Sequence, residues 1–402
     1  MPLHTIDQNC PITAVPMVGA AALCGHTQEQ LDQVQFAVCD WAQDLHRRLS
    51  ADSATATVCF SPASIAPVLG MLLAAMEDRD VERFKIALGL GEMSTECVHS
   101  CLGAMSSVFS VDTKELKITA GNGMAVLDVV SNEYKSQVSG MYGAEVFQTG
   151  PSAHEAAEEI NNWVSEKTRA LIPELVSAGD LMDVTAVLLN ALYFKGEWCQ
   201  QFKASNTRSA DFRTAQGEAV TCQMMSQDDY FHYAENAECQ ALQMHFQTAG
   251  LTPGSVYMLA LLPNDPNGLE ALEQSLSAEF IEGLRHSSGI VKVDVGFPKL
   301  DIKYDTTSLL KHLSDQGFPM KVSLPKVPAD GVSKMIHKTV LKVDETGAEG
   351  AAATALFYER CACVPDRATK FFSADRPFLC VLVAEGNILF QAAIKDASAL
   401  AS

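Results

Sequence analysis

Apolar residues recur along this chain with two different periods, and the two periods give its first outline. From residue 31 to 49 they return at helical spacing, which predicts an amphipathic helix. Val58-Cys59-Phe60 reads as a short strand running into Ser61-Pro62-Ala63-Ser64, where Ser61 can cap a helix and Pro62 can occupy its first turn. The helix that follows carries a wide stripe of Ile65, Val68, Leu69, Leu72, Leu73 and Met76, with apolar and small residues over much of the rest, so deep burial is expected. Residues 155–176, including Ile160, Trp163 and Val164, read as another helical stretch. Residues 185–194 form a near-continuous apolar run with Asn190 in its middle, and residues 256–262 are similar; both suit strands covered on two faces. Val291, Val293, Val295 and Phe297 alternate, but the apolar parity then flips to Leu300 and Ile302, which places a bulge or break at Pro298. Residues 379–383 and 388–394 flank Ala384-Glu385-Gly386-Asn387 and predict a terminal hairpin.

Strands and helices mix without βαβ regularity or internal repeats, so the fold class is α+β with large sheets. Residues 1–30 mix Pro, Gly and Thr without sustained periodicity and read as an irregular extension. No Pro/Gly/Ser-rich linker divides the body, so residues 31–402 are expected to form one domain.

One stretch fits neither period. Residues 342–354, Lys-Val-Asp-Glu-Thr-Gly-Ala-Glu-Gly-Ala-Ala-Ala-Thr, run from a plausible strand into small side chains with almost no turn chemistry. Side chains alternate faces along a strand, so Ala348, Gly350, Ala352, Thr354 and Leu356 would share one face and Glu349, Ala351, Ala353, Ala355 and Phe357 the other. The first set carries no charge. It can enter a sheet without an ionic penalty while Glu349 stays in water. Tyr358, Glu359, Arg360, Cys361, Ala362 and Cys363 follow, with side chains a protease can recognise.

Composition narrows the functional classes. With 48% apolar and 19% charged residues the chain is ordinary for a globular protein, and a net charge of −20 argues against nucleic acid, acidic membrane surfaces and heparin-like polyanions as partners. Its 12 cysteines are scattered through apolar runs and read as buried thiols rather than a disulfide framework. The apolar run from residue 11 to 24 has no preceding Lys or Arg and is broken by Pro16, which makes a poor signal peptide. A cytoplasmic protein is expected, with export by a signal-independent route as the alternative. No Gly-x-Ser-x-Gly elbow, His-Glu-x-x-His, phosphate-binding loop or dinucleotide fingerprint occurs, so no catalytic residue is assigned. Cys97-Val98-His99-Ser100-Cys101 and Cys361-Ala362-Cys363 lack a second matching pair, and neither metal nor cofactor is expected.

Several motifs occur together in one order: Phe60-Ser61-Pro62-Ala63-Ser64-Ile65; Ile160-Asn161-Asn162-Trp163-Val164; Leu189-Asn190-Ala191-Leu192-Tyr193-Phe194-Lys195-Gly196-Glu197-Trp198; Phe297-Pro298-Lys299-Leu300; His337-Lys338; the small-residue stretch; and Ala374-Asp375-Arg376-Pro377-Phe378. In this the chain resembles the serpins, the serine protease inhibitor family, over residues 31–395. The resemblance implies the serpin fold: a large mixed β-sheet, smaller sheets, eight or nine helices and an exposed reactive loop. It makes Glu345, Thr346, Gly347, Ala348, Glu349, Gly350, Ala351, Ala352 and Ala353 the hinge of that loop. Ser61, Ser64, Asn190 and His337 would form the shutter, a polar cluster beneath the middle of the main sheet, and Trp198, Lys299 and Glu345 the breach at its top, with Lys299 and Glu345 ion-paired. The chain departs from the family at Ala170-Leu171, where Gly-Lys is usual, and at Phe390-Gln391-Ala392, where Phe-Met-Gly is usual.

The implied function is inhibition, not catalysis. A target protease would attack the loop as a substrate, and the cut loop would enter the main sheet and trap the acyl-enzyme as a covalent 1:1 complex with a monomeric inhibitor. Counting from Glu345 places the reactive bond at Cys361–Ala362, whereas side-chain chemistry favours Arg360–Cys361 for a trypsin-like enzyme; serine and cysteine proteases both form the required acyl intermediate. The alternative within the fold is a non-inhibitory chaperone, carrier or storage protein. The small uncharged inward face of the hinge favours the inhibitor.

Overall fold

The chain builds two sheets, and the helices pack against them and against one another. In the computed structural model the described residues are 26–126, 128–148, 152–182, 184–248, 250–306, 308–327, 329–348 and 369–401. The helices among them are α1 (Gln28–Asp52), α2 (Pro62–Ala75), α3 (Asp78–Ala87), α4 (Thr95–Met105), α5 (Asn132–Tyr142), α6 (Ala153–Lys167), α7 (Leu269–Ser275), α8 (Ala278–Ser287) and α9 (Leu309–Asp315). The first eight strands are β1 (Val58–Phe60), β2 (Val111–Asp112), β3 (Leu116–Val126), β4 (Glu145–Gln148), β5 (Ala186–Glu197), β6 (Arg208–Arg213), β7 (Ala219–Glu235) and β8 (Cys239–His245). The rest are β9 (Val256–Pro263), β10 (Gly289–Pro298), β11 (Leu300–Thr306), β12 (Lys334–Val343), β13 (Gly347–Ala348), β14 (Lys370–Ser373), β15 (Phe378–Ala384) and β16 (Asn387–Ile394).

One sheet has seven strands, in the order β11-β12-β5-β3-β2, with β13 added to β5 and β4 added to β3. It is mixed: β12 runs parallel to β5 and β4 parallel to β3, and the other pairs are antiparallel. The other has nine strands, in the order β1-β16-β15-β9-β8-β7-β10-β14, with β6 beside β7. The expected smaller sheets are therefore continuous with one another. The 17-residue β7 joins them, pairing with β6 and β10 over its length and with β8 at its end.

Local chemistry explains where the elements begin and end. Thr27 and Gln30 form a reciprocal capping box, so α1 opens at Gln28 and residues 28–30 are helical rather than part of an irregular extension. Ser61 accepts from the backbone N–H of Ser64 at 3.2 Å, Pro62 takes the first helical position, and every residue of α2 is buried. The helix expected over 155–176 stops at Lys167. Arg169 (φ 52°) and Ala170 (φ 63°) turn the chain back in left-handed conformations, and the Asn161 side chain holds the returning strand of loop at the N–H groups of Leu175 and Val176 and the carbonyl of Val176. Ile172, Leu175 and Val176 are buried, which produced the apolar pattern, but they pack as a loop beside α6. Ala170 sits in a backbone region that costs a residue with a Cβ about 1 kcal/mol, at the point where the serpin resemblance leads one to expect glycine.

The break at Pro298 is a change of sheet. β10 belongs to the nine-stranded sheet and β11 to the seven-stranded one, with Lys299 between them. Phe297, Leu300 and Ile302 all enter the core between the sheets, so the parity flips because the chain crosses from one wall of that core to the other. β5 is covered on two faces as expected. Leu192 and Phe194 point into the core between the sheets, while Val187, Leu189 and Ala191 pack beneath α6 and its return loop. Gly121 and Gly123 of β3 leave room for α6, since a Cβ at either would press on the Trp163 ring at 3.1 and 3.3 Å. No helix among the described residues is long and apolar enough to cross a membrane.

Candidate functional site

The sequence-predicted site residues that the structure describes lie along one line, the seam between β5 and β12. The two strands pair directly from Lys334 opposite Val187 to Thr339 opposite Leu192. Nearer the other end of β5 their direct pairing stops, and β13 takes the place beside β5, antiparallel, with Gly347 opposite Glu197 and Ala348 opposite Gly196. β12 delivers β13 there through a tight reversal. Asp344 Oδ1 accepts from the N–H of Thr346 (2.8 Å), the Thr346 hydroxyl (2.6 Å) and the N–H of Gly347 (3.2 Å), and the Asp344 N–H closes the turn on the Gly347 carbonyl at 2.7 Å. Gly347 has φ 153°, and a Cβ there would stand 1.9 Å from the Gly196 carbonyl oxygen, so only glycine fits. Ala348 is fully buried in the core between the sheets.

At this upper end Trp198, Lys299 and Glu345 come together. Lys299 Nζ lies 2.8 Å from Glu345 Oε1, which also accepts from the Thr207 hydroxyl at 2.6 Å. Burial raises the Glu345 carboxyl, but the bonds from Lys299 and Thr207 outweigh it and hold its pKa below the ordinary value. Trp198 stacks on Phe246 (centroids 4.0 Å apart) and donates its Nε1–H to the Asp344 carbonyl at 3.1 Å. Backbone bonds from Trp198 to Thr346 (2.8 Å) and from Phe202 to Glu345 (2.9 Å) fasten the reversal to the chain beyond β5.

At the middle of the seam Ser61, Ser64, Asn190 and His337 also meet, and all four are fully buried. Asn190 stands opposite His337 across the β5–β12 pair. His337 Nε2 accepts the Ser61 backbone N–H at 3.1 Å, so its proton is on Nδ1, which donates to Asn190 Oδ1 at 2.5 Å. Burial depresses its pKa to about 3 and keeps the ring neutral. Asn190 Oδ1 also accepts from the Ser64 hydroxyl at 2.8 Å, and its amide donates to the Ser64 carbonyl and to Asn122 Oδ1, each at 2.8 Å.

Asn122 was missed from sequence. It stands opposite Asn190 on β3, so the row Asn122, Asn190, His337 crosses three adjacent strands with Ser61 and Ser64 supplied from the start of α2. Its setting, Ala120-Gly121-Asn122-Gly123, looks like turn chemistry; the alternation of Leu116 and Ile118 ahead of it is the pattern from which the strand is readable. Thr207 was missed as well; no local pattern links it to Glu345. Glu349, Gly350, Ala351, Ala352, Ala353, Arg360, Cys361 and Ala362 lie outside the described residues.

The cysteines among the described residues are free thiols. Burial pushes Cys39, Cys59 and Cys239 up to about 12, so they are inert packing groups. Cys97 and Cys101 are buried in α4, and the His99 ring bonds to the Tyr142 hydroxyl. Among the described residues no cluster of three or more His, Cys, Asp or Glu is placed to hold a metal.

A seven-stranded mixed sheet whose parallel central pair is entered at one end by a small-residue strand is the arrangement of a serpin. The family described as "Serpin (serine protease inhibitor)" matches residues 36–396, and the chain belongs to that family. It is 30% identical over 388 residues to the leukocyte elastase inhibitor of Equus caballus, covering 90% of this chain and 98% of that one. It is 29% identical over 371 residues to the leukocyte elastase inhibitor of Xenopus tropicalis, covering 87% and 95%. Among solved structures, human thyroxine-binding globulin superposes with a TM-score of 0.80 at 23% identity, covering 90% of this chain and 98% of that one. Serpin48 of Tenebrio molitor superposes with a TM-score of 0.78 at 25% identity, covering 92% and 99%.

Proposed function

We propose that this serpin is a suicide-substrate inhibitor of serine proteases, with cysteine proteases as a second class of target. The loop is cut, its N-terminal arm enters the seam between β5 and β12 as a full strand, and the protease is held as a covalent 1:1 acyl complex by a monomeric inhibitor in the cytoplasm.

The observation that carries this reading is the register of β13. Continued from Ala348 opposite Gly196, the arm would set Ala352 opposite Leu192, Thr354 opposite Asn190 and Tyr358 opposite Ala186, the first residue of β5. The inserted strand would therefore span β5 end to end and finish just before Arg360–Cys361 and Cys361–Ala362, the two candidate bonds. Ala348 already points into the core, so Gly350, Ala352, Thr354 and Leu356 would follow it on the same face. Glu349 would fall opposite Lys195, which has no ion pair among the described residues; such a cross-strand pair contributes roughly 0.2–1 kcal/mol.

Insertion requires the direct β5–β12 pairing to open, and Glu345, Lys299 and Trp198 hold the arm where that opening starts. About ten new ladder bonds at ~0.5–1.5 kcal/mol each supply on the order of 10 kcal/mol. That is comparable with the stability of a whole domain and can distort an attached active site. Losing one oxyanion donor slows deacylation by roughly 100- to 1000-fold, so the acyl bond persists.

The test is incubation with trypsin-, elastase- and chymotrypsin-like proteases, followed by denaturing electrophoresis and mass spectrometry of the released C-terminal peptide. A stable adduct with one of them, and a peptide beginning at Cys361 or Ala362, is the expected result. Cleavage without an adduct would give the non-inhibitory reading instead.

A further inference from the structure

A groove of about 1430 Å3 runs along α1, and none of its lining residues belongs to the seam. α1 supplies one wall from Glu29 to Arg47, and the end of α3 with the turn after it supplies the other from Ile86 to Met93. Residues 274–277 close one end, where Arg47 donates to the Leu276 carbonyl at 2.8 Å. Trp41 of α1 and Phe84 of α3 both pack edge-on against Phe318, which fixes the two walls to each other.

Two exposed apolar side chains stand on opposite walls, Phe36 (48% exposed) and Ile86 (69%). Around them the charges are nearly all of one sign: five acids, Glu29, Asp32, Asp40, Asp44 and Glu92, against one base, Arg47. Asp44 is paired with Arg47 and Arg48, but Glu29, Asp32, Asp40 and Glu92 have no ion pair among the described residues. On α1 the positions Glu29, Asp32, Phe36, Asp40 and Asp44 recur every three or four residues and form a single stripe. Single exposed apolar residues are ordinary on a surface. Here two meet across one concavity rimmed by unpaired acids.

The walls decide what shape of partner fits. No strand borders the groove, so an extended segment would find no ladder to join, whereas a helix satisfies its own backbone. The α1 wall spans about 18 residues, ~27 Å, which matches five turns of a partner helix. Residues 1–25 contain no Lys or Arg, and a second copy of the chain would bring a net charge of −20 to an acidic rim, so neither supplies the complement.

We infer that the groove between α1 and α3 binds a basic amphipathic helix of a partner protein. Apolar side chains at i and i+4 of that helix seat between Phe36 and Ile86, and Lys or Arg on its two flanks meets Glu29, Asp32 and Asp40 on one side and Glu92 on the other. A helix docked there positions the serpin while leaving the seam unoccupied.

The probe is a fluorescein-labelled helical peptide of about 18 residues, with Leu at i and i+4 along one face and Lys on both flanks, titrated with the full chain and followed by anisotropy. Saturable binding that weakens as salt is raised is expected. Phe36→Ser with Ile86→Ser should weaken it by about tenfold or more. Glu29→Lys combined with Asp32→Lys and Glu92→Lys should weaken it at least as much and flatten the salt dependence. A peptide with Ser in place of Leu should bind about tenfold more weakly, and one with Glu in place of Lys should not bind. Val129→Ser with Met182→Ser, exposed apolar residues outside the groove, should change nothing, and unchanged melting of all variants shows that they fold. Three results would overturn the inference: no saturable binding, affinities within about twofold of the parent in both groove variants, or a Ser peptide that binds as well as the Leu peptide, which would reduce the effect to attraction between a basic peptide and an acidic protein. Self-association of the parent in sedimentation, removed by Phe36→Ser with Ile86→Ser, would make a second copy the occupant and overturn it as well. Protease adducts play no part in the readout, so failure of this groove and failure of the inhibitory reading are distinguished.

Discussion

The top and the middle of the described seam are built from opposite materials. At the top, Glu345 and Lys299 are charged and partly open to water, and they clasp a reversal that has already placed Gly347 and Ala348 beside β5. In the middle, Asn122, Asn190, His337, Ser61 and Ser64 are neutral, buried and bonded to one another across three strands and a helix start. A charged tie in water is weak and readily exchanged. A buried neutral network is worth more, because breaking it leaves polar groups without partners. On the inhibitory reading proposed above, the top would hold the arm ready and the middle would keep the seam shut until strand pairing replaced what is lost. The network occupies the place where the arriving Thr354 would stand, opposite Asn190.

The largest effect should come from blocking that replacement. Thr354→Arg would bring a charge against Asn190 and the start of α2, where no acid waits among the described residues, and an unpaired buried charge costs several kcal/mol. Adduct formation should fall by about a hundredfold or more, with the protease released after cutting, while the rate of loop cleavage stays near that of the parent. The rise in melting temperature after cleavage should largely disappear. Thr354→Val, which keeps size and carries no charge, should still trap. An Arg variant that traps as well as the parent would show that the arm does not pass the middle of the seam.

Much of the frame was legible because burial writes a period into the sequence. β5, β9, β15 and β16 are covered strands and read as apolar runs, and Ser61-Pro62 marked the start of α2 through its capping chemistry. Other features have no local signal. The end of α6 escaped because Ile172, Leu175 and Val176 are buried in a loop held by Asn161, and because an alanine, not a glycine, takes the left-handed turn at residue 170. Asn122 escaped because its flanking glycines, which make room for Trp163, imitate a turn. Lys299 and Glu345 were linked by resemblance to a family, since nothing in their spacing brings them together. The acidic groove around Phe36 and Ile86 is assembled from separate segments and becomes visible only once the packing of α1 and α3 is known.

A change of intermediate size should follow from the middle of the seam alone. His337→Gln has a single amide tip that cannot fill both imidazole positions, so either the bond to Asn190 or the acceptor for the Ser61 N–H is lost, at an expected loss of about 2–4 kcal/mol in urea unfolding at pH 7. The pH dependence has a definite sign. Folded His337 has its pKa lowered by burial from the ordinary 6.5 to about 3, so the unfolded chain binds the proton first as pH falls. Its contribution is complete above pH 6.5 and declines toward pH 3 by about 1.4 kcal/mol per unit. The gap between parent and variant should therefore narrow by about 2 kcal/mol between pH 7 and pH 5. A constant gap over that range would mean that the imidazole is not held neutral and the middle of the seam is not the dry network described.

The smallest change should come from the top. Lys299→Met removes the partner of Glu345 but leaves the Thr207 hydroxyl, the Trp198 indole bond to Asp344 and the backbone bonds of the reversal in place. With Lys299 side-chain exposure at 26% and Glu345 at 13%, the pair should be worth about 1 kcal/mol or less at pH 7. Glu345 is held below its ordinary pKa of 4.5, so the pair's contribution is present above that value and is lost as pH falls through the lower, folded value. Parent and variant should therefore converge in urea unfolding as pH falls below 4.5 and through the lower, folded value, a trend opposite in cause to that at His337, where the folded group resists a proton instead of losing a charge. If Lys299→Met costs 3 kcal/mol or more at pH 7, or as much as His337→Gln, the clasp at the top carries the stability assigned to the middle, and the division of labour along the seam is wrong.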